Sequence, residues 1–359
     1  MIRAQTNEVI IGTSFKQVKI GASNPIAIQS MCNTKTSNVA STVSQIKALE
    51  KAGCNIVRVA VLNMEDALAI KEIVKEINIP LVADIHFDYK LALAAIDAGC
   101  DKLRINPGNI GSIENVEKVV ASCKEHNIPI RIGVNLGSLN KQIEEKYGRS
   151  AKALYESAKE HIDILEKLDF HNIVVSVKAS DINICLDAYR MLSKNYSYPL
   201  HIGITEAGSA YSGLVKSSIG LGILLNEGIG DTIRVSLSAD PVEEIKAAKE
   251  ILSNFNYYNK PLITSCPTCG RTQYDMLKIL SRVEEYMNNN YPNTKIHIAI
   301  MGCAVNGPGE AKDADIGIAG GINEALLFKK GLVIRKIKEE NLLSEFLKEI
   351  DEFIKENNL

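Results

Sequence analysis

Between residues 26 and 236 short aliphatic runs alternate with longer stretches in which Val, Ile, Leu and Ala recur at helical spacing, and this alternation restricts the fold more than any other feature. The runs cover residues 26–29, 56–60, 81–83, 102–105, 130–134, 173–177, 201–205 and 232–237. Intervening stretches such as 41–51 and 64–76 carry charge opposite their apolar stripe, as helices lying on a sheet do. Eight successive βα units fit a closed (β/α)8 TIM barrel, although an open doubly wound sheet gives a similar pattern. The reading is an α/β chain with the barrel first.

A faint internal repeat supports the βα reading. Ala52-Gly-Cys-Asn-Ile-Val-Arg58 and Ala98-Gly-Cys-Asp-Lys-Leu-Arg104 share one layout, a glycine helix stop feeding a strand. After Ser238-Ala-Asp240-Pro241, a helix-start signal, residues to 253 read as the eighth outer helix, and the polar segment 254–260 marks a boundary. The expected division is a barrel over 1–253 and a smaller α/β unit over 254–359. The second unit reads as strands at 261–264 and 296–300 flanking a helix at 272–288, then a Gly- and Pro-rich loop. Short strands near 315–318, 325–328 and 332–337 follow, and a helix over 342–356 ends the chain.

A chain of 359 residues exceeds what one core usually supports, which agrees with two domains. With 46% hydrophobic residues and a net charge of −2, nothing points to nucleic acid as partner. No apolar run approaches the roughly 18 residues of a membrane span and the start lacks a signal pattern, so a cytoplasmic protein is expected. Its eight cysteines are then thiols. Cys32, Cys54, Cys100, Cys123 and Cys185 stand alone in apolar or helix-end surroundings and read as core thiols.

Chemistry in barrels collects at the C-terminal ends of the strands, and here those ends are polar. They carry Gln29, Ser30, Arg58, Asp84, His86, Arg104, Asn106, Arg131, Asn135, Lys178, Glu206, Arg234 and Ser236. Buried guanidinium groups need anionic or polar partners. Pairing with Asp84, Glu206 and carbonyls would answer for some, yet five cations against few acids leave positive charge over, and a phosphorylated substrate complements it. Glu206 reads equally as a neutraliser of arginine or as a proton donor at a hydroxyl. His86 reads as a rim histidine or an acid/base.

Cys266-Pro-Thr-Cys269 and Cys303 each follow a strand, which suits neighbouring strand ends presenting three thiolates to one centre. A structural zinc would need a fourth ligand, and His297 lies inside a strand. In an iron-sulfur cluster, the loop 306–310 lets Glu310 serve as a weak, exchangeable fourth ligand or simply cap the loop. A barrel lyase holding zinc and a non-catalytic electron carrier are the rival readings.

Taken together, Ile28-Gln-Ser-Met31, Val82-Ala-Asp-Ile-His-Phe87, Leu103-Arg-Ile-Asn-Pro-Gly-Asn109, Arg131-Ile-Gly-Val-Asn135 with Gly137-Ser138, Gly203-Ile-Thr-Glu-Ala-Gly208, Cys266-Pro-Thr-Cys-Gly-Arg271 and Gly302-Cys-Ala-Val-Asn-Gly-Pro-Gly-Glu310 closely resemble the 4-hydroxy-3-methylbut-2-enyl diphosphate synthase family of the methylerythritol phosphate route to isoprenoids. The motifs run in family order over nearly the whole chain, in the bacterial two-domain form. The resemblance implies a 4Fe-4S cluster on Cys266, Cys269 and Cys303, with Glu310 as fourth ligand. It implies 2-C-methyl-D-erythritol 2,4-cyclodiphosphate as substrate, its diphosphate held by Arg58, Arg104, Arg131, Asn135, Lys178 and Ser236, with Glu206 as the acid near the reacting oxygen. Ferredoxin or flavodoxin is the implied reductant. A head-to-tail homodimer completing each site with the partner's cluster is implied as well, since the eighth helix returns the chain to the far end of the barrel.

Overall fold

The computed structural model describes residues 3–13, 15–205, 208–304, 309 and 311–359. Glu206 and Glu310 lie outside the described residues. The chain divides into two compact units, Met1–Tyr257 and Tyr258–Leu359.

The first unit opens with a hairpin of β1 (Val9–Ile11) and β2 (Val18–Ile20), paired antiparallel. Eight parallel strands follow: β3 (Ala27–Met31), β4 (Ile56–Ala60), β5 (Leu81–Asp84), β6 (Lys102–Ile105), β7 (Ile130–Asn135), β8 (Ile173–Lys178), β9 (His201–Ile202) and β10 (Thr232–Ile233). They run in the order β8-β7-β6-β5-β4-β3-β10-β9. A parallel bridge between Val175 and Leu200 joins the two ends of that row and closes the barrel. The open-sheet alternative is thereby excluded.

Side chains make each unit turn where it does. Asn38, Asn63, Asp88 and Asp181 cap helices by accepting a backbone N–H two or three residues on. Gly53 and Gly99, at φ 95° and 92°, end the first and third barrel helices in the left-handed region and feed β4 and β6.

The hairpin escaped the sequence reading. Its Val9, Ile11 and Ile20 are buried against Ala27, Ile56, Val82 and Val174, near the first residues of β3, β4, β5 and β8, and so cover the N-terminal end of the barrel. Lys16 reaches Asp101 at 2.8 Å, and the Asp101 carboxylate accepts the Leu81 N–H at 2.8 Å, tying the hairpin to the starts of β5 and β6. Strands β9 and β10 are also shorter than expected. Beyond Ile202 the Lys178 side chain lies against the bare backbone of Gly203, where a Cβ would collide with its Nζ.

The second unit holds a sheet of β11 (Leu262–Ser265), β12 (His297–Met301), β13 (Ile316–Gly320), β14 (Glu324–Lys329) and β15 (Leu332–Lys338) in that order. The first three are parallel and the last three antiparallel. Helices Met276–Asn290 and Leu342–Glu356 bury Val283, Met287, Phe346 and Ile350 against Ile298, Ile300, Ile316 and Ile318. The first of these helices starts four residues later than the sequence reading places it, because Asp275 caps it through the Lys278 N–H. Among the described residues no helix is long and apolar enough to cross a membrane.

Candidate active site

Parallel strands alternate their faces, so Arg58 on β4, Arg104 on β6 and Arg234 just after β10 form one inward tier, and Lys178, the last residue of β8, faces inward nearer the C-terminal end. Arg131 on β7 lies among them and is 1% exposed.

Two carboxylates serve this tier among the described residues. Asp84 at the end of β5 lies 3.5 Å from Arg58 Nε and 3.2 Å from Arg104 Nη1. Burial pushes the Asp84 carboxyl up, but Arg58, Arg104 and Arg131 outweigh it and leave the group below the usual carboxylate range. Glu244, on the helix Pro241–Ser253, lies 3.3 Å from Arg234, accepts from Ser30 Oγ at 2.9 Å and takes the Leu237 N–H at 3.1 Å. Arg234 is thus answered within the fold, by an acid the sequence reading did not single out.

Arg58 is answered less well. Its Nη2 donates to the Met31 thioether at 2.8 Å, a weak acceptor that a phosphate oxygen would outcompete. Burial brings its guanidinium down to about 10. Lys178 meets His201 Nε2 at 3.4 Å, and burial followed by the charges of Arg131 and Arg234 lowers its ammonium well below the ordinary lysine value.

Arg104 is placed by its surroundings. Its Nη2 donates to the Gly133 carbonyl, and a Cβ at Gly133 would collide with its guanidinium. The Gly133 N–H in turn donates to Asn106 Oδ1 at 2.9 Å. The turn Pro107–Asn109 after β6 is held from outside the barrel, where His161 on the helix Ala151–Lys167 accepts the Gly108 N–H at 3.1 Å. His86 is half exposed, 3.2 Å from Arg104 Nη1, and burial lowers it.

Asn135 ends β7, and its backbone exchanges hydrogen bonds with the Ser138 hydroxyl at 3.3 and 3.0 Å. Ser236 lies in the partly exposed segment after β10. The structure therefore gathers Arg58, Arg104, Arg131 and Lys178 into one barrel interior and places Asn135 and Ser236 at strand ends of the same face. Sequence reasoning missed His161, a lone histidine on an amphipathic helix, and Lys102. The signal for Lys102 was its two-residue spacing from Arg104, which puts both on one face of β6.

In the second unit, Cys266 follows β11 directly and Cys303 follows β12 by two residues, on neighbouring parallel strands with Ser265 level with Ile300. The Gly302 N–H donates to Cys266 Sγ at 3.1 Å. A Cβ at Gly302 would stand 2.7 Å from Thr272 Oγ1, so the approach of this backbone to the thiol requires glycine. Cys269 and Thr272 exchange hydrogen bonds at 3.0 and 3.4 Å, closing the turn, and the Arg271 backbone N–H, then its side chain, lowers the exposed Cys269 thiol. Thiols offered amide N–H partners suit iron-sulfur ligation, in which such bonds tune the cluster. Among the described residues no three His, Cys, Asp or Glu side chains group as ligands of a single metal ion. The other five cysteines are buried, and burial pushes Cys32, Cys54 and Cys123 up to about 12 and Cys185 up to about 11.

Residues 6–249 match the GcpE TIM-barrel domain and residues 262–352 the GcpE protein C-terminal domain. The chain is 57% identical over 353 residues to the 4-hydroxy-3-methylbut-2-en-1-yl diphosphate synthase (flavodoxin) of Clostridium perfringens, covering 98% of this chain and 99% of that protein. It is 55% identical over 357 residues to the protein of the same name from Bacillus pumilus, covering 99% and 95%. Among solved structures, the sialic acid synthetase of Leptospira borgpetersenii matches with a TM-score of 0.51 at 14% identity, over 81% of this chain and 99% of that one. Dihydropteroate synthase from Xanthomonas albilineans matches with a TM-score of 0.50 at 11% identity, over 69% and 97%. These two share the fold alone. With both domain models matched in order, and more than half its residues identical to those of the two synthases, the chain belongs to the GcpE family.

Proposed function

We propose that this chain converts 2-C-methyl-D-erythritol 2,4-cyclodiphosphate to 4-hydroxy-3-methylbut-2-enyl diphosphate in the methylerythritol phosphate pathway, in the cytoplasm, by reductive ring opening and dehydration. The observation that carries the reading is the surplus of barrel cations. Arg58, Lys102, Arg104, Arg131, Lys178 and Arg234 face only Asp84 and Glu244 among the described residues. Positive charge left over in a low-dielectric interior asks for an anion, and a diphosphate bearing several negative charges is of the right size and sign. An electron carrier would have no use for it.

In this reading residues 1–253 form the substrate-binding barrel and residues 254–359 the cluster domain. Arg58, Arg104, Arg131, Asn135, Lys178 and Ser236 hold the diphosphate and stabilise it as a leaving group when the ring C–O bond breaks. Glu206 delivers a proton to the departing hydroxyl, which leaves as water. Cys266, Cys269 and Cys303, with Glu310, would hold a 4Fe-4S cluster, and what it supplies when bound is electrons, passed one at a time. Reduced flavodoxin, named in the relatives, or ferredoxin provides them.

A head-to-tail homodimer in which each barrel receives the partner's cluster domain completes the proposal. Its support is that Tyr257, the last residue of the first unit, lines a cavity of about 560 Å³ with Arg3, Ala4, Gln5, Thr6, Ala22 and Ser23, at the hairpin end and away from the basic tier. An anaerobic assay of cyclodiphosphate consumption with a chemical reductant tests the function. Wild type should turn over, Cys303→Ser should not, and Arg58→Ala should lose most activity. Equal turnover by Arg58→Ala would sink the substrate site.

A further inference from the structure

Deeper in the barrel than Arg104 the interior stays polar. Lys102 stands two residues before Arg104 on β6, roughly 6–7 Å deeper along the strand. It is 0% exposed, and its Nζ has no hydrogen-bond partner. Arg131 Nε and Nη2 and both amide atoms of Gln29 are likewise buried without partners. The charged groups that act on Lys102 are Arg131 and Arg58, both of its own sign, and burial lowers its ammonium further than either. Inward positions of a barrel are normally filled by Val, Ile or Leu. A lone buried ammonium beside two guanidinium groups works against folding, and an apolar residue of similar length would make the barrel more stable.

We propose that Lys102 is a positioning residue for the diphosphate, a second-tier amine that acts through Arg131, holds its charge when an anion lies above them and then raises the positive potential under the substrate. This rests on the proposed diphosphate site and adds to it a residue that never touches the ligand. The mutual repulsion of Lys102, Arg131 and Arg58 is relieved when an anion arrives above them, so the fold is loaded against itself until the site fills. At an interior effective dielectric near 20, one unit charge about 10 Å away is worth about tenfold in affinity for each negative charge of the anion, so tenfold is the least effect expected with a diphosphate.

The test compares full-length wild type, Lys102→Met and Arg58→Ala, using inorganic pyrophosphate as the calorimetric probe and thermal unfolding as the second measurement. Lys102→Met should bind pyrophosphate at least about tenfold more weakly and unfold at a higher temperature, with a raised KM for the cyclodiphosphate and an unchanged kcat. Affinity equal to wild type would overturn the inference, and so would weaker binding with a lower unfolding temperature, which would mark Lys102 as a packing residue. Should Met prevent folding, Lys102→Gln carries the same comparison. If Arg58→Ala binds pyrophosphate as wild type does, the diphosphate site itself is wrong; if Arg58→Ala loses binding and Lys102→Met keeps it, only the role of Lys102 falls.

Discussion

His161 accepts the backbone N–H of Gly108 through its ring Nδ1 at 3.1 Å, joining an outer helix to the turn after β6. Only an unprotonated ring can do so. Burial, with the charge of Arg104 adding to it, brings the imidazole from 6.5 to about 4. As pH falls through that window the unfolded chain takes up a proton that the folded protein refuses, so stability present above 6.5 declines by roughly 3 kcal/mol and levels off below the folded value. Urea unfolding of His161→Leu should show that decline missing relative to wild type. Parallel stability curves from pH 7 to 4 would refute the assignment. His161→Asn, which keeps an acceptor near the Nδ1 position, should hold KM closer to wild type than His161→Leu.

Gly133→Ala puts a methyl group where the Arg104 guanidinium lies. Overpacking of this kind costs about 1–3 kcal/mol. The variant should fold with a lowered midpoint and show a KM for the cyclodiphosphate raised by about tenfold or more, since Arg104 must leave the Gly133 carbonyl. Steady-state kinetics at a temperature where the variant is folded checks this. An unchanged KM would mean that the position of Arg104 is immaterial to binding.

How much of this could be read from residues alone differs by scale. Strands β4 and β6 fall where the aliphatic runs do, because a parallel strand buried on both faces must be continuously apolar apart from its functional side chains. The hairpin of β1 and β2 was invisible, since three-residue strands show no period and their partners are long-range. The pairing of Arg234 with Glu244 was hidden for another reason. It depends on a helix turning back over the strand it follows, which local spacing does not report. The cysteines were legible in type and spacing, while the amide donor on Cys266 comes from Gly302, just past the end of another strand.

Glu244→Ala should be among the most damaging single changes in the barrel. It leaves Arg234 and Ser30 without their acceptor in the interior, and breaking such a pair costs about 3–5 kcal/mol. Adding Arg234→Met should restore much of that loss. A double variant no more stable than Glu244→Ala would show that the acid matters through Ser30 and the Leu237 N–H instead.

Iron and acid-labile sulfide, measured after anaerobic purification, should fall to a small fraction of wild type in Cys266→Ser and Cys303→Ser. Cys54→Ser should retain both, because Cys54 is buried in the other unit, its thiol pushed up to about 12 by burial. Equal metal content in all three would remove these thiols from the centre.

The apolar hairpin gives the barrel a floor: among the described residues Val9, Ile11 and Ile20 stopper its N-terminal end, while the opposite end carries the half-exposed His86. In the proposed reaction the cyclodiphosphate would therefore arrive, and the product and water depart, on the side where the arginines stand.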